Sequence, residues 1–260
     1  MKVADVRIHA VSAERRYTSQ KHLSLQHAAS DPVVVSHYYI FEVETDDGRV
    51  GLGEISDINP NATLPDGRSM RAPALRDLLL PLLRGHDVFD TARLDELFRR
   101  HNLRGKGAAA VDMACLDLQG QAAGQPLYNL LGGRAWNELP VCWVAYVRHA
   151  KEMEPEIAEK VQKGFRAFKL KVGRDIDEDV ARVKLVRDLA GDHAHIKLDA
   201  NAAWGTADEA IANLKRLEPY RPAAIETPIP AEDLDGMRRI KNSSGIKFME
   251  HGWPAARVLD

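Results

Sequence analysis

Cysteine is scarce in this chain: two in 260 residues, Cys115 and Cys142. Both sit in apolar runs and read as small buried residues in a reducing compartment, with no disulfide framework and no zinc-ligand spacing. An excess of one charge is also missing. Thirty-six Lys and Arg against 38 Asp and Glu leave a net charge of −2, so nothing marks nucleic acid or an anionic membrane as a partner. No stretch approaches the ~18 apolar residues of a membrane span. The N-terminal stretch MKVADVRIHAVSAERR has no long apolar core and no cleavage site, so it is not expected to act as a secretory signal, and the expected location is the cytoplasm. What is present is ordinary for a soluble globular protein, 45% hydrophobic and 28% charged, with length for one large domain or two smaller ones.

The first part has strand character. Residues 2–11 alternate weakly, and residues 33–45 are rich in β-branched and aromatic side chains. Asp46-Asp47-Gly48 then predicts a hairpin turn into Arg49–Ile55. A polar loop, residues 14–31, lies between the first two strands and carries Tyr17, His22 and His27. Apolar residues at helical spacing follow at 71–84, 90–101 and 106–123, with Pro81 expected as a kink or boundary. The last of these helices is apolar over much of its surface, which predicts that it is well buried. Strands followed by helices describe a separate α+β domain, residues 1–125.

Residues 126–260 change pattern. Strand candidates at 139–147, 165–172, 194–200, 223–227 and 246–250 alternate with helix candidates at 151–163, 177–190, 206–217 and 233–241. Thr206 and Glu209 form a capping box, and Gly164 and Gly191 stand where helices should stop. Such alternation implies parallel strands with right-handed crossovers. A barrel and an open doubly wound sheet both fit. No G-x-G-x-x-G follows the first strand, which weakens the dinucleotide-binding version.

The strand ends carry the chemistry. The second candidate strand ends in Lys169-Leu170-Lys171, the third in Asp199-Ala200-Asn201, the fourth in Glu226 and the fifth in Glu250. From Lys171 the steps are 28, 27 and 24 residues, each the length of one βα unit. Alone, a K-x-K is usually an alternating strand with solvated lysines, and a lone carboxylate is more often a cap or a surface charge. In register, the two lysines share one strand face and point inward, while Leu170 faces the outer helices. Buried lysines need a reason. Three carboxylates on the next three strands provide one, because together they can hold a hard divalent cation such as Mg²⁺. In a β/α barrel that strand end is where active sites are built. Such a site can remove a proton α to a carboxylate: the metal offsets the developing charge, and a lysine, kept neutral by neighbouring cations, is the base.

AAVDMACLDLQGQAAGQPLYNLLGG, FKLKVG, IKLDANAAW, AAIETPIP and FMEHGW together resemble the mandelate racemase/muconate lactonizing enzyme group of the enolase superfamily, over essentially the whole chain. AAIETPIP departs from the family's frequent Glu-Glu or Glu-Gln by carrying Glu226-Thr227, and FMEHGW is the loosest match. The resemblance implies an α+β capping domain followed by a TIM-type (β/α) barrel. It implies Asp199, Glu226 and Glu250 as Mg²⁺ ligands, Lys171 as base, and Lys169 as support for the base and the substrate carboxylate. Asn201 resembles a site residue beside the first ligand. The loop 14–31 and the turn near Glu54-Ile55-Ser56 resemble the parts that close over substrate, which makes Tyr17, His22 and His27 specificity candidates. His251 is read as a cap or surface histidine, and as an acid only if the chain turns there; Trp204 and Trp253 are expected to pack.

The expected function is Mg²⁺-dependent abstraction of the α-proton of a carboxylate substrate, giving a metal-stabilised enolate. Dehydration, racemisation or epimerisation of a sugar acid or related carboxylate would follow. A Glu as third ligand, where the lactonizing branch tends to have Asp, leans the expectation that way. Five strands of eight are counted, so the barrel is expected to be incomplete, with exposed apolar faces at 139–147 and 246–250. The second acid/base group would then lie past the chain end, and the alternative is a remnant that binds metal or acid without turnover. The full-length form is expected to be a homo-oligomer.

Overall fold

The structure, a computed structural model, describes residues 1–14, 35–59, 61–64, 66–103 and 105–250. They fall into two compact units, with the division between Asn137 and Glu138. The domain boundary expected near residue 125 lies at the end of a helix, and the short helix Leu127–Leu130 stands between the two positions.

The first unit is an antiparallel sheet of β1 (Val3–Glu14), β2 (Val35–Thr45) and β3 (Val50–Ile55), in that order. Period-two alternation decides its faces. Tyr39, Phe41 and Val43 are buried. Glu42 and Glu44 point the other way, where Arg7 donates to them at 2.8 and 2.7 Å. The hairpin forms at Asp46–Gly48: Gly48 takes φ +83° and its N–H donates to the Thr45 carbonyl at 3.0 Å, a backbone state glycine adopts at no steric cost.

Four helices follow, α1 (Ala72–Leu83), α2 (Thr91–Arg100), α3 (Lys106–Ala123) and α4 (Leu127–Leu130). Pro81 does not end α1, which runs on to Leu83. α3 lies directly on β3 because two strand positions have no side chain. A Cβ on Gly53 would stand 1.8 Å from the Ala110 carbonyl oxygen, and one on Gly51 2.2 Å from that of Ala114. Ala110, Val111, Ala114, Cys115 and Leu118 fill that face of the helix, whereas Ala109, Asp112 and Met113 are exposed. The expected burial of α3 therefore holds for one face only. The open edge of β3 is capped from the same helix: Asp117 accepts from the Leu52 N–H at 2.9 Å, and Gln121 donates to the Val50 carbonyl at 2.8 Å, which blunts an edge strand.

The second unit is a parallel sheet of β4 (Trp143–Ala145), β5 (Ala167–Lys171), β6 (His195–Asp199), β7 (Ala224–Glu226) and β8 (Lys247–Met249), in chain order. α5 (Ala150–Gln162), α6 (Ile176–Ala190), α7 (Ala207–Leu217) and α8 (Leu234–Ser243) alternate with these strands. Phe168, Leu170, Ile196, Leu198 and Ile225 are buried in one cluster with Met153, Ile157, Val183, Val186, Leu214 and Ile240 from the helices. Asp175, Thr206 and Asp233 each cap a helix through the side chain, and Gly191 ends α6 at φ +80°. Among the described residues β4 and β8 are the sheet edges. Leu139 and Val141, just before β4, are 77% and 71% exposed. Five parallel strands with their helices are the β/α arrangement of an unclosed barrel.

Candidate active site

The strand ends of the second unit line up. Lys171 pairs in register with Asp199, and Asp199 with Glu226. Directly paired residues on parallel strands share a face, so the three side chains form a row at the C-terminal rim. Lys169 and Lys171 are partly buried on one face of β5, while Phe168 and Leu170 are buried on the other. The K-x-K alternation is thus as the sequence implied.

Charge is balanced within the row. The Lys169 ammonium lies 2.9 Å from Asp199 Oδ2 and 2.8 Å from Glu226 Oε2. Lys171 Nζ donates to Asp199 Oδ2 at 2.6 Å and to Asn201 Oδ1 at 2.9 Å. Asp199 is 1% exposed. Burial alone would raise its carboxyl, but the hydrogen bonds from Lys171 and Lys169 overcome this and hold it below the usual carboxylate range. Burial would lower Lys169, yet Glu226 and Asp199 raise it above the ordinary lysine value. For Lys169 the two carboxylates, 2.9 and 2.8 Å away, outweigh burial.

The backbone at this rim is strained. Asn201, Ala202 and Thr227 have φ of +47°, +63° and +43°. Asn tolerates that region, whereas a β-branched Thr is an outlier in it. Hydrogen bonds between neighbouring strand ends hold the turn: Ala200 N–H to the Glu226 carbonyl at 3.1 Å, Ala202 N–H to that of Thr227 at 2.7 Å, and Thr227 N–H to that of Met249 at 3.0 Å.

Glu250 sits differently. Glu226 pairs with Met249, and β8 ends there. Glu250 therefore lies one position past the row, where it accepts from Thr227 Oγ1 at 3.2 Å. Among the described residues no three His, Cys, Asp or Glu side chains gather as a metal-ligand cluster. The donor set nevertheless suits a hard cation. Asp199 and Glu226 present carboxylate oxygens around one shared ammonium, a positive charge that a divalent ion could replace. Thr227 was not singled out as a site residue by sequence; its place directly after Glu226 was the available signal.

Tyr17, His22, His27, His251 and Trp253 lie outside the described residues. Glu54 and Ile55 end β3 in the first unit. Trp204 is 1% exposed and belongs to the second unit's apolar cluster, so it packs as expected.

A β/α unit with charged strand ends, following a separate α+β unit in the chain, defines a class of barrel protein. Residues 13–132 match the family described as mandelate racemase / muconate lactonizing enzyme, N-terminal domain, and residues 152–253 match the enolase C-terminal domain-like family. The N-succinyl-L-Arg/Lys racemase of Bacillus cereus is 31% identical over 223 residues, 85% of this chain and 60% of the racemase. A crystal structure of the N-succinyl Arg/Lys racemase from that organism superposes with a TM-score of 0.83 at 27% identity, covering 100% of this chain and 68% of that one. The hydrophobic dipeptide epimerase of Enterococcus faecalis is 30% identical over 250 residues, 96% of this chain and 67% of the epimerase. A crystal structure of the dipeptide epimerase from that organism, complexed with Mg and the dipeptide L-Leu-L-Tyr, gives a TM-score of 0.80 at 26% identity, over 96% of this chain and 68% of that one. The arabinonate dehydratase of Saccharolobus solfataricus is 29% identical over 92% of this chain and 64% of the dehydratase. The chain belongs to the mandelate racemase/muconate lactonizing enzyme family of the enolase superfamily. It spans about three fifths to two thirds of the length of these relatives. Among the described residues no helix is long and apolar enough to cross a membrane.

Proposed function

We propose that the second unit removes the proton α to a carboxylate, with Lys171 as the base and Mg²⁺ held by Asp199, Glu226 and Glu250. The observation that carries this reading is the row itself: two lysine ammoniums set against Asp199 and Glu226 within 2.9 Å on one strand-end rim. Bound there, Mg²⁺ would supply positive charge against the substrate carboxylate and lower the cost of a second negative charge.

The chain's own groups do the rest. Lys171 Nζ, once it has released a proton and stands as the neutral amine, accepts the proton from Cα, and the C–H electron pair moves toward the carboxylate. Asn201 Oδ1 holds Lys171 Nζ in place from the strained turn after β6. Lys169, the supporting lysine of the family resemblance, keeps its proton and donates to the substrate carboxylate. Return of a proton to the same face gives exchange with solvent. Return from the opposite face gives the other configuration and needs a second group, for which the family resemblance points beyond Glu250.

The outcome we favour is racemisation or epimerisation at the α-carbon of an N-acylated amino acid or dipeptide. The racemase and epimerase relatives support it. Dehydration of a sugar acid is the second reading, favoured by the arabinonate dehydratase match over 92% of the chain. The test is Mg²⁺-dependent deuterium uptake in D₂O from N-succinyl amino acids, dipeptides and sugar acids. Uptake into the amino-acid substrates without loss of water supports the first reading. Release of a 2-keto-3-deoxy acid selects the second. No uptake with any of them leaves a protein that binds acid or metal without turnover.

A further inference from the structure

The buried stripe of α6 includes Asp179, Arg182, Val183 and Val186. Spacings of three and four put all four on one helix face, where an apolar stripe is the norm. Two of them are charged. Asp179 is 0% and Arg182 2% exposed, and they pair directly with each other. Burial pushes the Asp179 carboxyl up to about 6 and the Arg182 guanidinium down, so the pair is kept at a cost.

Its other contacts show where that cost is applied. Asp179 Oδ2 accepts from the Gly173 N–H at 2.7 Å. Gly173 lies two residues beyond Lys171, just after β5 ends. Arg182 Nη1 donates to the Arg148 carbonyl at 3.0 Å, in the loop that follows β4. Arg148 in turn pairs with the partly buried Glu156 of α5, which accepts from Trp143 Nε1 of β4 at 2.6 Å. One chain of polar contacts therefore ties the rim ends of β4 and β5 to α5 and α6.

We propose that Asp179 and Arg182 are positioning residues that hold the strand end bearing Lys171 in the geometry needed for proton abstraction. The proposal rests on the reading of Lys171 as the base. Replacing a buried ion pair by apolar residues of similar volume is often neutral or stabilising, so a purely structural role predicts no loss of function from such a swap. A positioning role predicts the opposite, because a displacement of ~1 Å at a reacting group costs up to ~100-fold in rate.

The test uses the 260-residue chain carrying Asp179→Leu with Arg182→Met, beside Asp179→Asn and Lys171→Ala. Mg²⁺ affinity, amide hydrogen exchange at Gly173, and the kcat and KM of α-proton exchange on N-succinyl-L-arginine and L-Leu-L-Tyr are measured. The double variant should fold, bind Mg²⁺ as the unaltered chain does and keep its KM. It should lose protection at Gly173 and about 100-fold in kcat. Asp179→Asn, which keeps an acceptor for the Gly173 N–H, should fall between the two. A folded double variant with unaltered kcat overturns the positioning role while the base reading stands. Unaltered exchange by Lys171→Ala, or none by the unaltered chain, overturns the base reading and this role with it. If the double variant does not fold, Asp179→Asn decides in the same way: a lower kcat at unchanged KM supports the role, and an unchanged kcat overturns it.

Discussion

In the first unit the charged side chains stay near the surface: among the described residues only Ser36 and Thr45 are polar and buried. The second unit encloses Asp179, Arg182, Arg187, Asp199 and Glu226. Burying charge is expensive unless it is paired, and even then it is weak evidence for stability. The capping unit accordingly closes on apolar contacts and on the bare backbone of β3. The barrel unit accepts the cost at the end where strands deliver chemistry. Arg187 shows the other use of buried charge. Its guanidinium donates to the carbonyls of Gly191, Asp192, Ala194, Tyr220 and Arg221 at 2.9–3.0 Å. Those groups lie at the opposite end of the sheet from Lys171, where a β/α barrel keeps its stabilising residues.

The largest contrast should come from lysine against arginine. Lys171→Ala should cut α-proton exchange by at least ~100-fold, the lower end of what a positioned base contributes. Arg7→Ala, on the open face of the capping sheet, should leave exchange and melting temperature unchanged. Equal losses in both variants would erase the distinction between the units.

Next comes the metal. Asp199→Asn should weaken Mg²⁺ binding by calorimetry at least ~100-fold, beyond the usual effect of an outer-shell partner. If Glu250→Gln leaves affinity untouched, the one-position offset of Glu250 from the row is real in solution and the third ligand lies elsewhere.

Stability should respond most in the capping unit. Gly53→Ala forces a Cβ against the Ala110 carbonyl, 1.8 Å away, and should cost about 3 kcal/mol, as overpacking does. At this chain length that corresponds to a fall of ~6–12 °C in melting temperature. A shift near zero would mean that α3 is free to lift away from β3.

The metal-free barrel unit should also carry a pH signature. Asp199 is held below its ordinary value of 3.8, so its contribution is present above 3.8 and lost as pH falls through the lowered value. Lys169 is held above its ordinary 10.5, so its contribution is present below 10.5 and lost as pH rises through the raised value. Urea unfolding in chelator should show both limbs, and Asp199→Asn should flatten the acid one. An unchanged acid limb would mean that the ion-pair row does not form without metal.

The smallest effect separates the two cysteines. Burial pushes the Cys115 thiol of the capping unit up to about 12, while Cys142 is only half-buried and is raised less. A disulfide reagent at neutral pH should label Cys142 first. Faster labelling of Cys115 would show that the capping unit opens more readily than the barrel unit.

The sequence by itself determined the order of elements and the faces of their strands. Alternation in β5 put Lys169 and Lys171 on one side and Leu170 on the other, and spacings of one βα unit carried Asp199 and Glu226 to the same rim. Those are local properties: a strand reverses face at each residue, and a parallel crossover needs a fixed length of chain. Which ammonium meets which carboxylate was decided only by the tertiary structure, because it depends on register between strands and on one position of offset at β8. The same holds for Gly51 and Gly53, whose lack of a side chain matters only once Ala110 and Ala114 arrive from α3. It holds also for Asp179 and Arg182, which look like surface charges of a helix. Their partners, Gly173 and Arg148, sit in loops that only the packed sheet brings within reach.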